Sequence, residues 1–464
     1  MTLTPHFDLT PYRQTLGLPG IRSLLLVTLF ARIPATAASV TLTLHVVQDL
    51  NRGYAAAGLV GAAITIGVAL GAPVLGRLTD RHGLRRVLVV TTLAEAAFWA
   101  GAHTLPYALL PLAALVGGFL QLPVFSVARQ SIAALVPDDQ RRPAYALDAM
   151  SVELSFMLGP ALAVLLATTV SARAAMLAIG CGIVVAGLAL IALDPPIRAS
   201  HETPSFHGAR LPRRSWLTSR MLTVLAMASA STVVLGGTDV AVVASMRAAG
   251  EVQWTGAVVA LWCFYSLLGG FAYGAVRRPV SPLALLALLA VFTIPVGLGG
   301  RTWWLLSLAL VFAGALCAPT LSATADAVSR LAPPAVRGEA TGLHGSALTI
   351  GLAVGAPLAG FVMDATSPGW GFAATGGLGL LIVLACLPVE LRHRRAERSP
   401  ANATIPGQRA ATHPVPAHLV PTEPAPAHPA PAPTHHAPVP AHPAPVPTEP
   451  APAHPLPTPA SLPE

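Results

Sequence analysis

The stretch GRLTDRHGLRR, Gly76 to Arg86, places Arg77, Asp80, Arg81, Arg85 and Arg86 within eleven positions of a chain in which only 10% of residues are charged. VGAAITIGVALGAPVL precedes it and VLVVTTLAEAAFWA follows it, so a short charged segment joins two long apolar runs. Soluble domains carry about 25% charged residues. A chain that is 54% hydrophobic, with charge gathered in such joints, is a polytopic membrane protein.

Working outward from this joint gives twelve apolar runs. Six lie near 22–46, 53–75, 87–105, 107–134, 144–168 and 172–193, and six near 221–246, 253–275, 281–299, 302–326, 339–364 and 371–389. Each is near the length a tilted transmembrane helix needs. The runs are continuous and show no period-two alternation, which favours helices over a barrel. The expected fold is all-α: twelve transmembrane helices as two six-helix bundles, 22–193 and 221–389. A cytoplasmic N-terminus (1–21), a central cytoplasmic loop (194–220) and a disordered Pro/Ala/His-rich tail (390–464) complete the expected organisation. In the tail, PTEPAPAHP occurs at 421–429 and again at 447–455, a composition unable to bury a core.

All 28 basic residues are Arg. Most occupy alternate loops, among them Arg77, Arg81, Arg85, Arg86, Arg141, Arg142, Arg213, Arg214, Arg277, Arg278 and Arg337. The opposite loops hold Arg52, Arg173, Arg247 and Arg301. The positive-inside rule then puts both termini in the cytoplasm, with a bacterial plasma membrane as the expected location. The net charge of +8 does not point to nucleic acid, because the cations lie between apolar spans rather than along one face. Cys181, Cys263, Cys317 and Cys386 stand singly in apolar runs, which suits packing rather than a metal site. There is no phosphate-binding G-x-x-x-x-G-K-[ST] loop, H-E-x-x-H or G-x-S-x-G. No enzymatic activity, cofactor or metal is expected, and the energy source must be an ion gradient or the gradient of the substrate itself.

The two sets of runs are related. Shifting the chain by 196 residues lays Gly118 on Gly314, Pro123 on Pro319, Arg141 on Arg337, Ala144 on Ala340 and Gly159 on Gly355. A shift of 198 lays Gly58 on Gly256, Gly71 on Gly269 and Gly76 on Gly274. Parallel repeats related by an axis along the membrane normal are a known transporter architecture.

With these residues in view, Gly76, Leu78, Asp80, Arg81, Gly83 and Arg85 resemble the signature between helices 2 and 3 of the major facilitator superfamily. Leu84 stands where that signature usually has a further basic residue. The LGPALA stretch, with Gly159 and Pro160, is similar to the Gly-Pro pattern of bacterial efflux members, without the longer glycine series of drug antiporters. Gly355 and Pro357 occupy the matching place in the second half, and all four are expected to pack helices.

The resemblance implies secondary transport by alternating access, with residues 76–85 as a latch between halves. Asp80 is expected to accept hydrogen bonds from exposed N–H groups near Gly338, and Arg81 and Arg85 to pair with Asp138 or Asp139. A topology anchor is the plainer reading of the same segment. Ionisable residues inside the spans are costly and mark functional candidates. Arg32 and Glu153 lie at similar depth, about 15 Å in at 1.5 Å per residue, which permits a midplane pair; a structural role fits as well. Asp239 and Gln121 are cavity candidates, Glu95 is a weaker one because the resemblance implies a third helix that faces away from the cavity, His344 is read as a packed or snorkelling residue, and Asp148 as interfacial. Trp254, Trp262, Trp303 and Trp304 suit an interfacial belt. The expected partners are a small-molecule substrate, protons and membrane lipid, with the chain acting as a monomer. Export of an amphipathic compound leads, with import of a metabolite or a non-transporting sensor as alternatives.

Overall fold

The computed structural model describes residues 9–199, 211–275 and 280–398, and these are helical with short connections. The first half contains α1 (Thr10–Gly17), α2 (Ile21–Leu44), α3 (Tyr54–His82), α4 (Leu84–Ala102), α5 (Leu110–Phe119), α6 (Val124–Leu135), α7 (Arg141–Thr169) and α8 (Ala172–Leu193). A four-residue α9 (Arg213–Trp216) leads to α10 (Ser219–Ala248), α11 (Thr255–Ala275), α12 (Pro282–Thr293), α13 (Trp303–Leu331), α14 (Arg337–Ala365) and α15 (Pro368–Arg398).

The sequence starts several helices with hydroxyl caps, which satisfy N–H groups that have no partner within the helix. Ser171 accepts from Ala174 N at 3.0 Å at the start of α8, and Ser281 from Ala284 N at 3.3 Å at the start of α12. Thr218 does the same for Met221 N on α10. Gly83, with φ +85°, makes the turn between α3 and α4; a side chain there would be strained.

Eleven helical stretches among the described residues are long and apolar enough to cross a membrane. The expected span at 87–105 corresponds to α4, a 19-residue helix that falls outside this set and carries Arg85, Arg86 and Glu95. It packs on α8, with Thr92 against Gly187 and Trp99 against Gly180. Other boundaries also differ from expectation. The run at 107–134 is broken into α5 and α6 at Leu120–Pro123, because Pro123 supplies no N–H. α15 continues past 389 to Arg398, and the expected loop at 194–220 contains α9 and a buried Trp216. The expected tail from 399 onward lies outside the described residues.

Each half has its own apolar core. The larger runs from Trp216 to Cys386, and a second from Ala37 to Ile183. Helices close on one another where small residues let backbones touch, the usual basis of packing in lipid. Gly159 of α7 lies on Ile33 and Thr36 of α2; Gly355 of α14 lies on Val233 of α10. Gly71 of α3 meets Phe119 of α5, and Gly269 of α11 meets Ala315 of α13. Gly180 of α8 faces Trp99 of α4, and Gly376 of α15 faces Ala290 of α12 and Ile294 just beyond it. Gly159 and Gly355, like Gly180 and Gly376, are 196 positions apart, so equivalent glycines make equivalent seams in the two halves.

Candidate functional site: a cavity between the halves and its closed end

A cavity of about 600 Å³ lies between the halves. The first half contributes α3, the α5–α6 break, α6 and α7; the second contributes α10, α11, α13 and α14. Its walls are mainly apolar. Among the expected candidates, Gln121, Glu153 and Asp239 line it, and Arg32 does not. Trp262 lines it as well, and so is not an interfacial belt residue.

Arg32 is fully buried. Its Nη2 pairs with Asp148 Oδ1 at 2.5 Å, and its Nη1 donates to Ser151 Oγ at 2.5 Å. The expected Arg32–Glu153 pair is therefore replaced by Arg32–Asp148, and Asp148 is a core residue, 2% exposed, rather than an interfacial one. The reason is geometric. Helical side chains lean toward the helix N-terminus, so the long Arg32 side chain reaches a level below its own Cα, where Asp148 stands. Arg129 Nε lies 3.6 Å from Asp148 Oδ2, so one carboxylate faces two guanidinium groups. Arg129 Nη1 also meets His344 Nδ1 at 3.1 Å, and His344 Nε2 meets Thr324 Oγ1 at 3.1 Å. His344 thus joins the buried charges of the first half to the second half.

Glu153 is held differently. Ser266 of α11 donates to Glu153 Oε1 at 2.8 Å, and Ala318 N donates to Ser266 Oγ at 3.1 Å. Among the described residues no basic side chain pairs with Glu153 or Asp239. Glu95 takes a structural place: its Oε2 accepts from Trp99 Nε1 at 2.7 Å and its Oε1 from Leu122 N at 3.4 Å. The second bond satisfies an N–H freed by the α5–α6 break.

The end of the bundle that carries the arginine-rich connections is closed. Asp80, near the end of α3, accepts from Gly338 N and Glu339 N, both at 2.8 Å. These are first-turn N–H groups of α14, and the helix dipole favours an anion there. The approach depends on two glycines: a Cβ on Gly76 would meet Gly338 O, and one on Gly338 would meet Gly76 O. The basic partners differ from expectation. Arg77 donates to Glu339 through Nε at 3.0 Å and Nη2 at 2.5 Å, and Arg213 Nε adds a bond at 2.7 Å. Arg198 Nη2 donates to Asp80 O at 2.8 Å. Asp138 pairs with Arg141 at 2.5 Å; among the described residues Arg81 and Arg85 pair with neither Asp138 nor Asp139.

A further closure had no signature in the sequence. Tyr12 of α1 donates to Phe271 O of α11 at 2.5 Å and stacks on the Phe271 ring, centroids 5.0 Å apart. Burial pushes the Tyr12 phenol up to about 12, which keeps it a donor at neutral pH. Deeper in, Ser346 donates to Ala69 O at 2.6 Å and Ser322 to Tyr145 O at 3.1 Å. The hydrogen bonds between halves thus run from this end to the level of Glu153.

The sequence profile of the Major Facilitator Superfamily matches residues 24–276 and 243–440, and the chain belongs to that family. It is a multi-pass membrane transporter, not an enzyme. Its fold is similar to the human organic anion transporter MFSD10 (TETRAN), with 17% identity, TM-score 0.62, and 79% of this chain and 99% of the other covered. A bacterial homologue of the iron transporter ferroportin, in an outward-facing state, gives 13% identity, TM-score 0.63, and 80% and 100% coverage. The proton:xylose symporter XylE gives 14%, 0.59, and 78% and 94%. At such identities the likeness concerns fold alone. No curated protein matches the chain in sequence.

Proposed function

We propose that the chain is a secondary active transporter that exports a small amphipathic compound in exchange for protons, by alternating access of the central cavity. The observation that carries this reading is the pairing of an apolar cavity with two acids, Glu153 and Asp239, that have no basic partner among the described residues. A carboxyl so placed is costly to keep charged without water or a cation, which suits a group that takes up and releases a proton during a cycle. The positive-inside rule makes the arginine-rich end cytoplasmic; with that end closed, the pose is outward-open, and Asp80 with Arg77 serves as its latch. The twelfth span is α4, the chain works as a monomer in a bacterial plasma membrane, and both termini are cytoplasmic.

The test is accumulation of fluorescent amphipathic compounds in cells with and without the gene, before and after a proton uncoupler. Lower accumulation in expressing cells, abolished by the uncoupler, is expected. Higher accumulation establishes import instead, and equal accumulation across a broad panel removes the transport reading.

A further inference from the structure

The charges around the cavity are unevenly exposed. Arg129 lines the cavity and shares Asp148 with Arg32, which does not line it; the Arg32, Arg129 and Asp148 side chains are 0%, 8% and 2% exposed. Arg129 turns its charge to Asp148 and His344 and offers little of it to an occupant. Asp239, by contrast, is exposed on the cavity wall, and Glu153 is partly exposed there. Both acids line the same cavity, so they act on one region. The rest of the wall is mainly apolar, with Trp262 and Phe156 on opposite halves and scattered neutral polar groups at Gln121, Ser126, Thr232, Ser266, Thr341 and Thr349.

An anion needs an accessible cation, and the one guanidinium in this wall among the described residues, that of Arg129, is engaged by Asp148 and His344. Two uncompensated carboxyls in an apolar surround attract a cation strongly, because desolvated charge is weakly screened. Aromatic faces add to that attraction.

We propose that the cavity selects an amphipathic organic cation, with Glu153 and Asp239 as its counter-charge and Trp262 and Phe156 against its apolar body. This rests on the transport reading above and adds the charge of the substrate. Seating the cation competes with the Ser266 hydroxyl for Glu153.

The test uses the purified full chain in lipid nanodiscs, with empty nanodiscs subtracted. Tetraphenylphosphonium and tetraphenylborate have closely similar size and shape and opposite permanent charge, so their comparison isolates the sign of the charge. With each ion titrated separately, saturable binding of the phosphonium and none of the borate is expected. Glu153→Gln and Asp239→Asn are each expected to weaken it about tenfold or more. Borate that binds as well as the phosphonium overturns the proposal, and so does unchanged phosphonium affinity in the double variant. The ion comparison needs only the native protein, so a variant that fails to fold does not shield the idea. Cation binding without any cellular transport would sink the transport reading alone; transport without cation preference would sink this inference alone.

Discussion

Asp80 holds two backbone donors with two oxygens, and each is 2.8 Å from its partner. Asn at this position keeps one acceptor and turns an NH₂ group toward the other N–H, leaving a donor facing a donor. A lost hydrogen bond to a charged group costs about 1.5–3 kcal/mol. Asp80→Asn is therefore expected to lower the initial transport rate about tenfold or more in membrane vesicles while membrane yield stays near wild type. Lost insertion with no defect in the inserted fraction would favour the topology-anchor reading instead. Arg77→Ala should act in the same direction, and Arg81→Ala much less, because Glu339 is engaged by Arg77. At the cavity, Ser266→Ala removes the hydroxyl that competes for Glu153. It is expected to tighten tetraphenylphosphonium binding a few-fold, since a neutral hydrogen bond is worth about 1 kcal/mol; unchanged or weaker binding would contradict the competition.

Among the elements, α3 and α14 form the main seam of the closed end, with Ala72 against Gly342 and Ala69 O bonded to Ser346. A disulfide between cysteines placed at Ala69 and Ser346, after replacement of the native cysteines, is expected to stop transport reversibly. Phosphonium binding should survive in the oxidised protein, and reductant should restore flux; full flux while cross-linked would refute the need for this seam to part. α1 adds a bolt of its own through Tyr12. Tyr12→Ala, which loses both the stack and the hydrogen bond, is expected to speed thiol labelling of a cysteine at position 69 more than Tyr12→Phe does. Equal labelling rates in both variants and the parent would mean that α1 does not hold the seam. The α3–α14 contact was legible in advance because an acid, two glycines and a helix start are local patterns with known chemistry. The Tyr12–Phe271 stack was not, because nothing in a short N-terminal segment specifies a partner some 260 residues away on the chain. The α5–α6 break was half legible: a proline at 123 removes an N–H from the run at 107–134, and only the fold showed Glu95 reaching the freed Leu122 N–H.

For the whole molecule, hydrophobic runs and the repeat fixed the class of architecture, because span length and internal self-similarity are properties of the sequence itself. The partner of Arg32 and the cavity position of Trp262 depended on how helices rotate and pack against each other, which no single run encodes. The same packing separates the glycines into two kinds. Those at 159, 355, 180 and 376 lie in seams inside one half, where the neighbours belong to the same core. Gly76, Gly338 and Gly342 lie in the seam between halves. A jaw that must open can tolerate a thickened edge far better than a thickened hinge block. Gly76→Ala is accordingly expected to leave thermal stability nearly unchanged while shifting the resting population toward the inward-open form, read as faster labelling at position 69. Gly159→Ala is expected to lower the melting temperature by several degrees, since a Cβ there has only backbone and Thr36 to push against. One added methyl thus becomes a gauge: where it lowers the melting point it marks a rigid body, and where it changes only the pose it marks the line along which the molecule parts.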